Sequence, residues 1–495
     1  MKKLVSILCA AALVLSLAAC GAESQSGGGE AKAAVYSLEN ATTFTFSDSG
    51  ITAQDGSYTG YEIDGTTLTI DGAGAYVVTG ACADGSIQIK KGTTGVTLAL
   101  NGLVLTSADT APILCGKSTE VVIVAADGST NSLTDAAENN DDSYPDNTEA
   151  ENAVIKCKDG AQVTLCGGGA LTINANGKNG IKSGASTTEE GEASLTIREL
   201  TLTINAPVND AINAQQLLNV ESGTLTISAA DDAIHSDLVL NIGGDGTDGP
   251  TIAITECYEG IEAAELNVLS GNIDILSSGD CLNAANSDLS GYAFSMNISG
   301  GIITACSSSG DGFDSNGDLT ISGGTVAVWT ANTADNQPLD ADGAITVSGG
   351  TVLAAGGSAG MGMNLTAEQP CVTFGSTGGM GGGRPGDMDG GSASIAKDAA
   401  VTITGSDGSA VYSGTALCNA SFVFFSSPEL TADGSYTLTA TAQTGSISSG
   451  GMGGPGNGGQ RPGDRDGGQQ APDFSGGGQP PERPSSQQSG TAQNS

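Results

Sequence analysis

The chain carries one histidine and one tryptophan, and its 16 lysines and arginines face 55 aspartates and glutamates. One imidazole excludes any zinc site that needs two, and H-E-x-x-H chemistry with it. A formal charge of −39 excludes a general affinity for nucleic acid or anionic lipid. Aromatic residues are 4% of the sequence, so no large aromatic core is available. Helical periodicity is absent, and no apolar run after the N-terminus is long enough to span a bilayer. The eleven cysteines contain no C-x-x-C. Setting aside Cys9 and Cys20 at the N-terminus leaves nine, which cannot all pair internally. Cys166, Cys257, Cys281 and Cys306 lie beside strand-like runs and read as small, reduced core residues. Glycine is abundant at 76 residues, but without a G-X-Y period, which excludes collagen.

The N-terminus reads as an address. Lys2 and Lys3 precede an apolar run from Leu4 to Ala19, the layout of an export signal over residues 1–19. Leu17-Ala18-Ala19-Cys20, followed by Gly21, resembles the bacterial lipobox. That resemblance implies cleavage before Cys20 and a lipid on its sulfur. Two or more acyl chains hold a protein stably at a bilayer. Residues 20–34 are then the lipidated cysteine and a flexible linker, and the expected location is the outer face of the cell membrane.

The middle of the chain repeats. A phrase such as LTISGGTVAV (319–328) is followed by a polar turn and a short acidic-aliphatic phrase. The large apolar residue of that second phrase is Ile181, Ile212, Ile234, Ile261, Leu282, Phe313 and Leu339, at gaps of 31, 22, 27, 21, 31 and 26 residues. Each copy alternates Thr, Val and Ile with period two, which is strand. Two or three short strands cannot bury their own apolar face, but stacked coils can. The expected fold is all-β: a three-sided parallel β-helix over residues 35–375, of about ten coils at ~4.8 Å each. A β-propeller is the alternative. Residues 127–153 interrupt the pattern and are expected to project as an acidic loop. Residues 376–393 and 446–495 are Gly-rich and expected to be disordered, while 394–445 returns to strand pattern and is expected to cap the C-terminal end.

Acidic residues recur in register. Asp210, Asp232, Glu259, Asp280 and Asp311 stand before the aliphatic position, and Glu262, Asp314 and Asp340 after it. Between bare carboxylates ~4.8 Å apart the repulsion is roughly 3–4 kcal/mol at an effective dielectric near 20. From Glu199 to Gly383 there are 22 Asp and Glu and no Lys or Arg, so no basic side chain of that stretch neutralises the columns. Calcium suits this oxygen-rich spacing, with Asn213, Asn283 and Asn316 as neutral donors. A solvated acidic face with nothing bound is the alternative.

Several phrases resemble the bacterial cell-surface carbohydrate-binding β-helix family. They include GAGAYVVTGACADGSIQI (72–89), VTLALNGLVLTSADTAPI (96–113), NSLTD (131–135), GIKSG (180–184), GDGFDSNGDLTISGGTVAV (310–328), DNQPLDADGA (335–344) and FVFFSSPEL (422–430). The resemblance implies a right-handed, pectate-lyase-like helix that binds calcium and plant-type polysaccharide without demonstrated catalysis. The positions that match its motifs are Asp311, Asp314, Asn316, Asp335 and Asp340. Ala341 and Asp342 depart from it, where an aromatic and a glycine are expected.

The expected function is therefore calcium-dependent binding of acidic pectic or cellulosic glycan by a tethered, monomeric, non-catalytic protein. Trp329 follows the inward Val326 and Val328 by alternation and is expected to face outward, where an indole would stack on sugar. Phe313, Tyr258 and Tyr292 are further aromatic candidates. A pectate lyase or polygalacturonase is the enzyme alternative, with Lys178, Lys182 and His235 as the nearest basic groups. His235 itself sits in the variable polar position of its repeat and reads as a surface residue. A structural or adhesive surface protein is the third class.

Overall fold

The computed structural model describes residues 36–440 except 55, 187–192, 245, 332–335, 358–364 and 376–394, and in addition 447–448 and 450–453. All regular elements among the described residues are β-strands. The signal, Cys20 and linker, and the Gly-rich 376–393 segment, lie outside them.

The alternation of apolar and polar residues puts one face of each strand inside, and stacking then supplies the partner that each face needs. Ala153–Cys157, Gln162–Cys166 and Ala170–Ala175 follow one another along the chain. Each pairs in parallel with the strand three elements later: Ile155 with Ile181, Val163 with Leu195, and Leu171 with Leu202. The next turn, Asn179–Ser183, Ser194–Ile197 and Thr201–Ala206, repeats the pattern. The result is a parallel solenoid with three ladders. Parallel pairing excludes the propeller, whose blades are antiparallel.

In the ladder that contains Ala153–Cys157, the repeat's aliphatic residues stack in register. Ile155, Ile181, Ile212, Ile234, Ile261, Leu282 and Phe313 are consecutive partners, and Phe313 bridges to Leu339. All are fully buried. Each such side chain contributes about 1.5–3 kcal/mol relative to exposure. On another ladder, asparagines link coils outside the core. Asn241, Asn267 and Asn297 each donate through Nδ2 to the asparagine one coil before, at 2.9, 3.0 and 3.1 Å.

Glycines make the corners. Gly324 has φ 82°, and a Cβ on Gly323 would overlap the carbonyl oxygen of Ser299 on the neighbouring coil. The nine described cysteines are buried as small apolar residues, and none is in a disulfide among the described residues.

The ends are closed by antiparallel strands. At the N-terminal end Thr42–Ser47 pairs with Gly50–Gln54, and Tyr61–Asp64 with Thr67–Ile70. At the other end Phe422–Ser426 inserts antiparallel between Thr351–Gly356 and Cys371–Gly375. Ala400–Gly405, Ala410–Thr415, Tyr436–Ala440 and Ile447–Ser448 form a separate small sheet. Its side chains and those of the last coils make a second apolar cluster around Trp329, Leu353, Phe374, Val401 and Phe425.

Two expectations are corrected. The acidic insertion begins later than 127, because Thr130–Asp135 is a strand in register with Ala170–Ala175. Its remainder is pinned rather than projecting freely. Asn139 is fully buried, donating to Asp135 Oδ2 at 2.8 Å and to the Ala153 carbonyl at 3.0 Å. The 446–495 tail, expected to be disordered throughout, opens with two short strands. Of these, Gly450–Gly453 pairs with Cys371–Gly375, whose backbone edge would otherwise be open.

Candidate functional site

Residues flanking the buried aliphatic stack point outward, since successive strand side chains alternate. One position after the stack, register partners run Lys156, Lys182, Asn213, His235, Glu262, Asn283 and Asp314. Two positions before it stand Asp210, Asp232, Glu259, Asp280 and Asp311. The solenoid thus sets two polar rows side by side, cationic at one end and anionic at the other.

At the anionic end, Asp311, Asp314 and Asp340 each bring a carboxylate oxygen within 4.8 Å of the others. Burial pushes the Asp311 carboxyl up to about 6, and the charge of Asp340 adds to the shift. Asp314 rises to about 7 through burial and repulsion from Asp280, Asp311 and Asp340. Burial also raises Asp340. The Asp311 backbone N–H donates to Asp280 Oδ1 at 2.6 Å, which ties the previous coil to the group. Gln337 donates its N–H to Asp311 Oδ1, while its own buried Oε1 has no hydrogen-bond partner among the described residues. Three crowded carboxylates are an all-oxygen set that fits a hard divalent cation such as calcium. Asn316 is exposed in the following turn and is not brought into this group. Asp335 lies outside the described residues.

The middle of the row is organised around His235, which is not the surface residue expected. Its side chain is 15% exposed, with Nδ1 2.9 Å from Asp232 Oδ2, Nε2 2.9 Å from Asp237 Oδ1, and Nδ1 3.6 Å from Glu262 Oε1. Burial opposes its charge, but the hydrogen bonds to Asp232 and Asp237 outweigh that and hold its pKa well above the usual imidazole range. Burial lifts Asp232 to about 7. Glu262 is pushed up to about 10, by burial first and then by its hydrogen bond to Glu259. Asn283 Nδ2 donates to Glu259 Oε2 at 2.9 Å and to Glu262 Oε2 at 3.0 Å. Here the contacts of His235 with Asp232 and Asp237, and the donations of Asn283 to Glu259 and Glu262, offset the crowding of the carboxylates. The D-x-x-H-x-D spacing of Asp232, His235 and Asp237 was the available sequence signal for the clamp; Glu262 joins only through stacking.

The aromatic expectations divide. Trp329 does leave the solenoid core, as alternation requires, but it is 1% exposed because the C-terminal sheet packs over it. It is not available to stack on sugar. Phe313 is fully buried, because it occupies the aliphatic stack itself. Tyr292 is half-buried and donates to Glu265 Oε1 at 2.6 Å. Tyr258 is 43% exposed and lines a groove of about 650 Å³ between the solenoid wall and the C-terminal segment, with Leu276, Lys397 and Asn419.

Stacked parallel coils with an outward row of ionisable side chains define a parallel β-solenoid. The model of the family described as "Carbohydrate-binding domain-containing protein" matches residues 64–362, more than half of the chain, and the chain belongs to that family. A protein of the same description from Acetivibrio thermocellus is 35% identical over 123 residues, which is 25% of this chain and 42% of that protein. The chain therefore spans less than half the length of that curated relative. A solved structure described as a polysaccharide lyase-like protein from C. thermocellum, gadolinium derivative, aligns with 63% of this chain and 93% of its own. Its sequence identity is 23% and its TM-score 0.33.

Proposed function

We infer that the protein is a calcium-dependent polysaccharide-binding module, non-catalytic and tethered to the outer face of a cell membrane through a lipid on Cys20. The signal at 1–19 and the linker at 20–34 supply the address. The solenoid is read as right-handed, the usual hand of parallel crossovers, with about ten coils. Its partner is an acidic or neutral glycan, pectic or cellulosic, and one chain suffices to bind it.

The observation that carries this reading is the convergence of Asp311, Asp314 and Asp340. Calcium held there leaves coordination positions for sugar hydroxyls or carboxylates. With Trp329 and Phe313 buried, Tyr258 is the remaining candidate platform for a sugar ring. At Asp232, Glu259 and Glu262 the cationic role falls to His235.

Calorimetric titration of calcium into the full chain tests the assignment. Asp311→Asn with Asp314→Asn is expected to abolish the binding heat. An unchanged heat in the folded variant overturns the site.

A glycan-cleaving enzyme is the second reading. It is favoured by one arrangement, a Glu262 carboxyl that burial pushes up to about 10, with an oxygen within 4.8 Å of one of Asp232's. Glu262 is only 7% exposed, which argues for a structural role. Loss of product on Glu262→Gln would favour the enzyme.

A further inference from the structure

The cationic end of the row is the unexplained feature. Lys156 and Lys182 are direct register partners on adjacent coils, and both are half-buried. Parallel neighbours lie ~4.8 Å apart, so two like charges are stacked in a chain that has few positive charges to spend. Two further lysines on the same coils have carboxylate partners: Lys158 meets Glu151 Oε1 at 2.7 Å, and Lys178 meets Asp142 Oδ2. Lys156 and Lys182 make no ion pair among the described residues. Burial and mutual repulsion lower the Lys156 ammonium to about 8, and burial with the charge of Lys178 lowers Lys182.

The acidic insertion gives this end its shape. Asn139 Oδ1 accepts from the Glu151 and Asn152 N–H groups at 2.6 and 3.1 Å, and Asn140 Nδ2 donates to the Gly177 carbonyl at 2.8 Å. Asn179 Nδ2 donates to the Asn152 carbonyl at 2.9 Å. The segment is thus a fixed wall beside the two lysines. Its Asp142 and Glu151 charges are already matched by Lys178 and Lys158. What the pair lacks among the described residues is an ion pair of its own: Glu151 near Lys156, and Asp210, Asp237 and Asp141 near Lys182, favour the charged ammonium groups from beyond ion-pair distance.

We propose that Lys156 and Lys182 form an anion-binding pair that takes the carboxylate of a uronic-acid sugar, and that this pair sets the preference for acidic over neutral glycan. The proposal rests on the glycan-binding reading and names its substrate class. Two lysines on neighbouring coils repel each other less when one carboxylate sits between their ammonium groups. Their desolvated position strengthens the resulting charge-assisted hydrogen bonds. Along the row, Lys182 and Asp314 are separated by five coil steps, or about 24 Å. A polyuronate laid on this face meets ammonium groups at one end and the calcium carboxylates at the other.

The test is equilibrium binding of the full chain to polygalacturonate and to its fully methyl-esterified form, each in calcium and in EDTA. Esterification removes the charge and keeps the sugar. The unsubstituted protein is expected to prefer polygalacturonate. Lys156→Gln and Lys182→Gln should each weaken that binding about tenfold, and the double variant about a hundredfold, with the methyl ester unaffected. Lys156→Arg with Lys182→Arg, which keeps both charges, should restore much of the loss. Circular dichroism and melting establish that the variants fold, and the single substitutions carry the comparison if the double variant does not.

Equal polygalacturonate binding by unsubstituted and glutamine proteins overturns the lysine pair and leaves the glycan-binding reading standing. A preference for the methyl ester does the same. The lysine comparison is read within each buffer, so a failure of calcium dependence does not touch it. Binding to neither polymer overturns both.

Discussion

His235 Nδ1 lies 2.9 Å from Asp232 Oδ2, and this contact puts the chain's one imidazole inside a row of carboxylates rather than at its edge. Breaking a mostly buried ion pair from one side leaves the other charge without compensation. His235→Ala is expected to cost about 3 kcal/mol of unfolding free energy, read by urea titration. A loss below about 0.5 kcal/mol would show that the clamp contributes little.

The carboxylates at the other end predict a pH dependence with a definite sign. Asp311 and Asp314 have ordinary values of 3.8 and rise to about 6 and about 7 in the folded chain. Between those limits the folded state holds more protons than the unfolded one, so its stability falls as pH rises. The calcium-free melting temperature should therefore drop from pH 4 to pH 7, and added calcium should remove the part of the drop that Asp311 and Asp314 contribute. Asp311→Asn with Asp314→Asn should make the calcium-free profile shallower and leave the part that Asp232 and Glu262 contribute.

Lys156 predicts the opposite slope at higher pH. Its ordinary value of 10.5 falls to about 8 on folding, so the unfolded chain holds more protons across that window. This group's contribution to stability therefore rises with pH from 8 to 10.5. The cysteine thiols oppose it equally in parent and variant. The difference between the unsubstituted chain and Lys156→Gln should carry the positive slope, and identical alkaline profiles would contradict it.

The two tyrosine and tryptophan positions separate packing from binding. Trp329→Ala is expected to destabilise by about 3–5 kcal/mol and leave glycan affinity per folded molecule unchanged. Tyr258→Ala should do the reverse, weakening glycan binding with a stability change within about 0.5 kcal/mol. Denaturation and pull-down on both variants check the pair.

The solenoid was legible because its core rule is local: whatever the gap between copies, Ile181, Ile212, Ile234 and Ile261 each follow the same polar turn and face inward. Irregular gaps were harmless, since extra residues sit at corners. Asp311 and Asp314 flank Phe313 on one coil and were singled out by their place in the repeat and by the family resemblance; Asp340 joins them from the next coil. Trp329 was not legible, although alternation gave its direction correctly, because its cover comes from the C-terminal sheet, whose Val401, Ile403 and Leu438 share its apolar cluster from far along the sequence. His235 was misjudged for a related reason. Its partners Asp232 and Asp237 are near in sequence, but Glu262 lies one coil on and joins only when the chain winds. Lys156 carried no signal until its pairing with Lys182 was known.

The most direct measurement is retention of the full chain on polygalacturonate and on cellulose, in calcium and after EDTA, with unsaturated and reducing-end products assayed in the same samples. The account predicts retention with calcium, release by EDTA and no product. Retention indifferent to EDTA would contradict the calcium site, and product formation would contradict the non-catalytic reading.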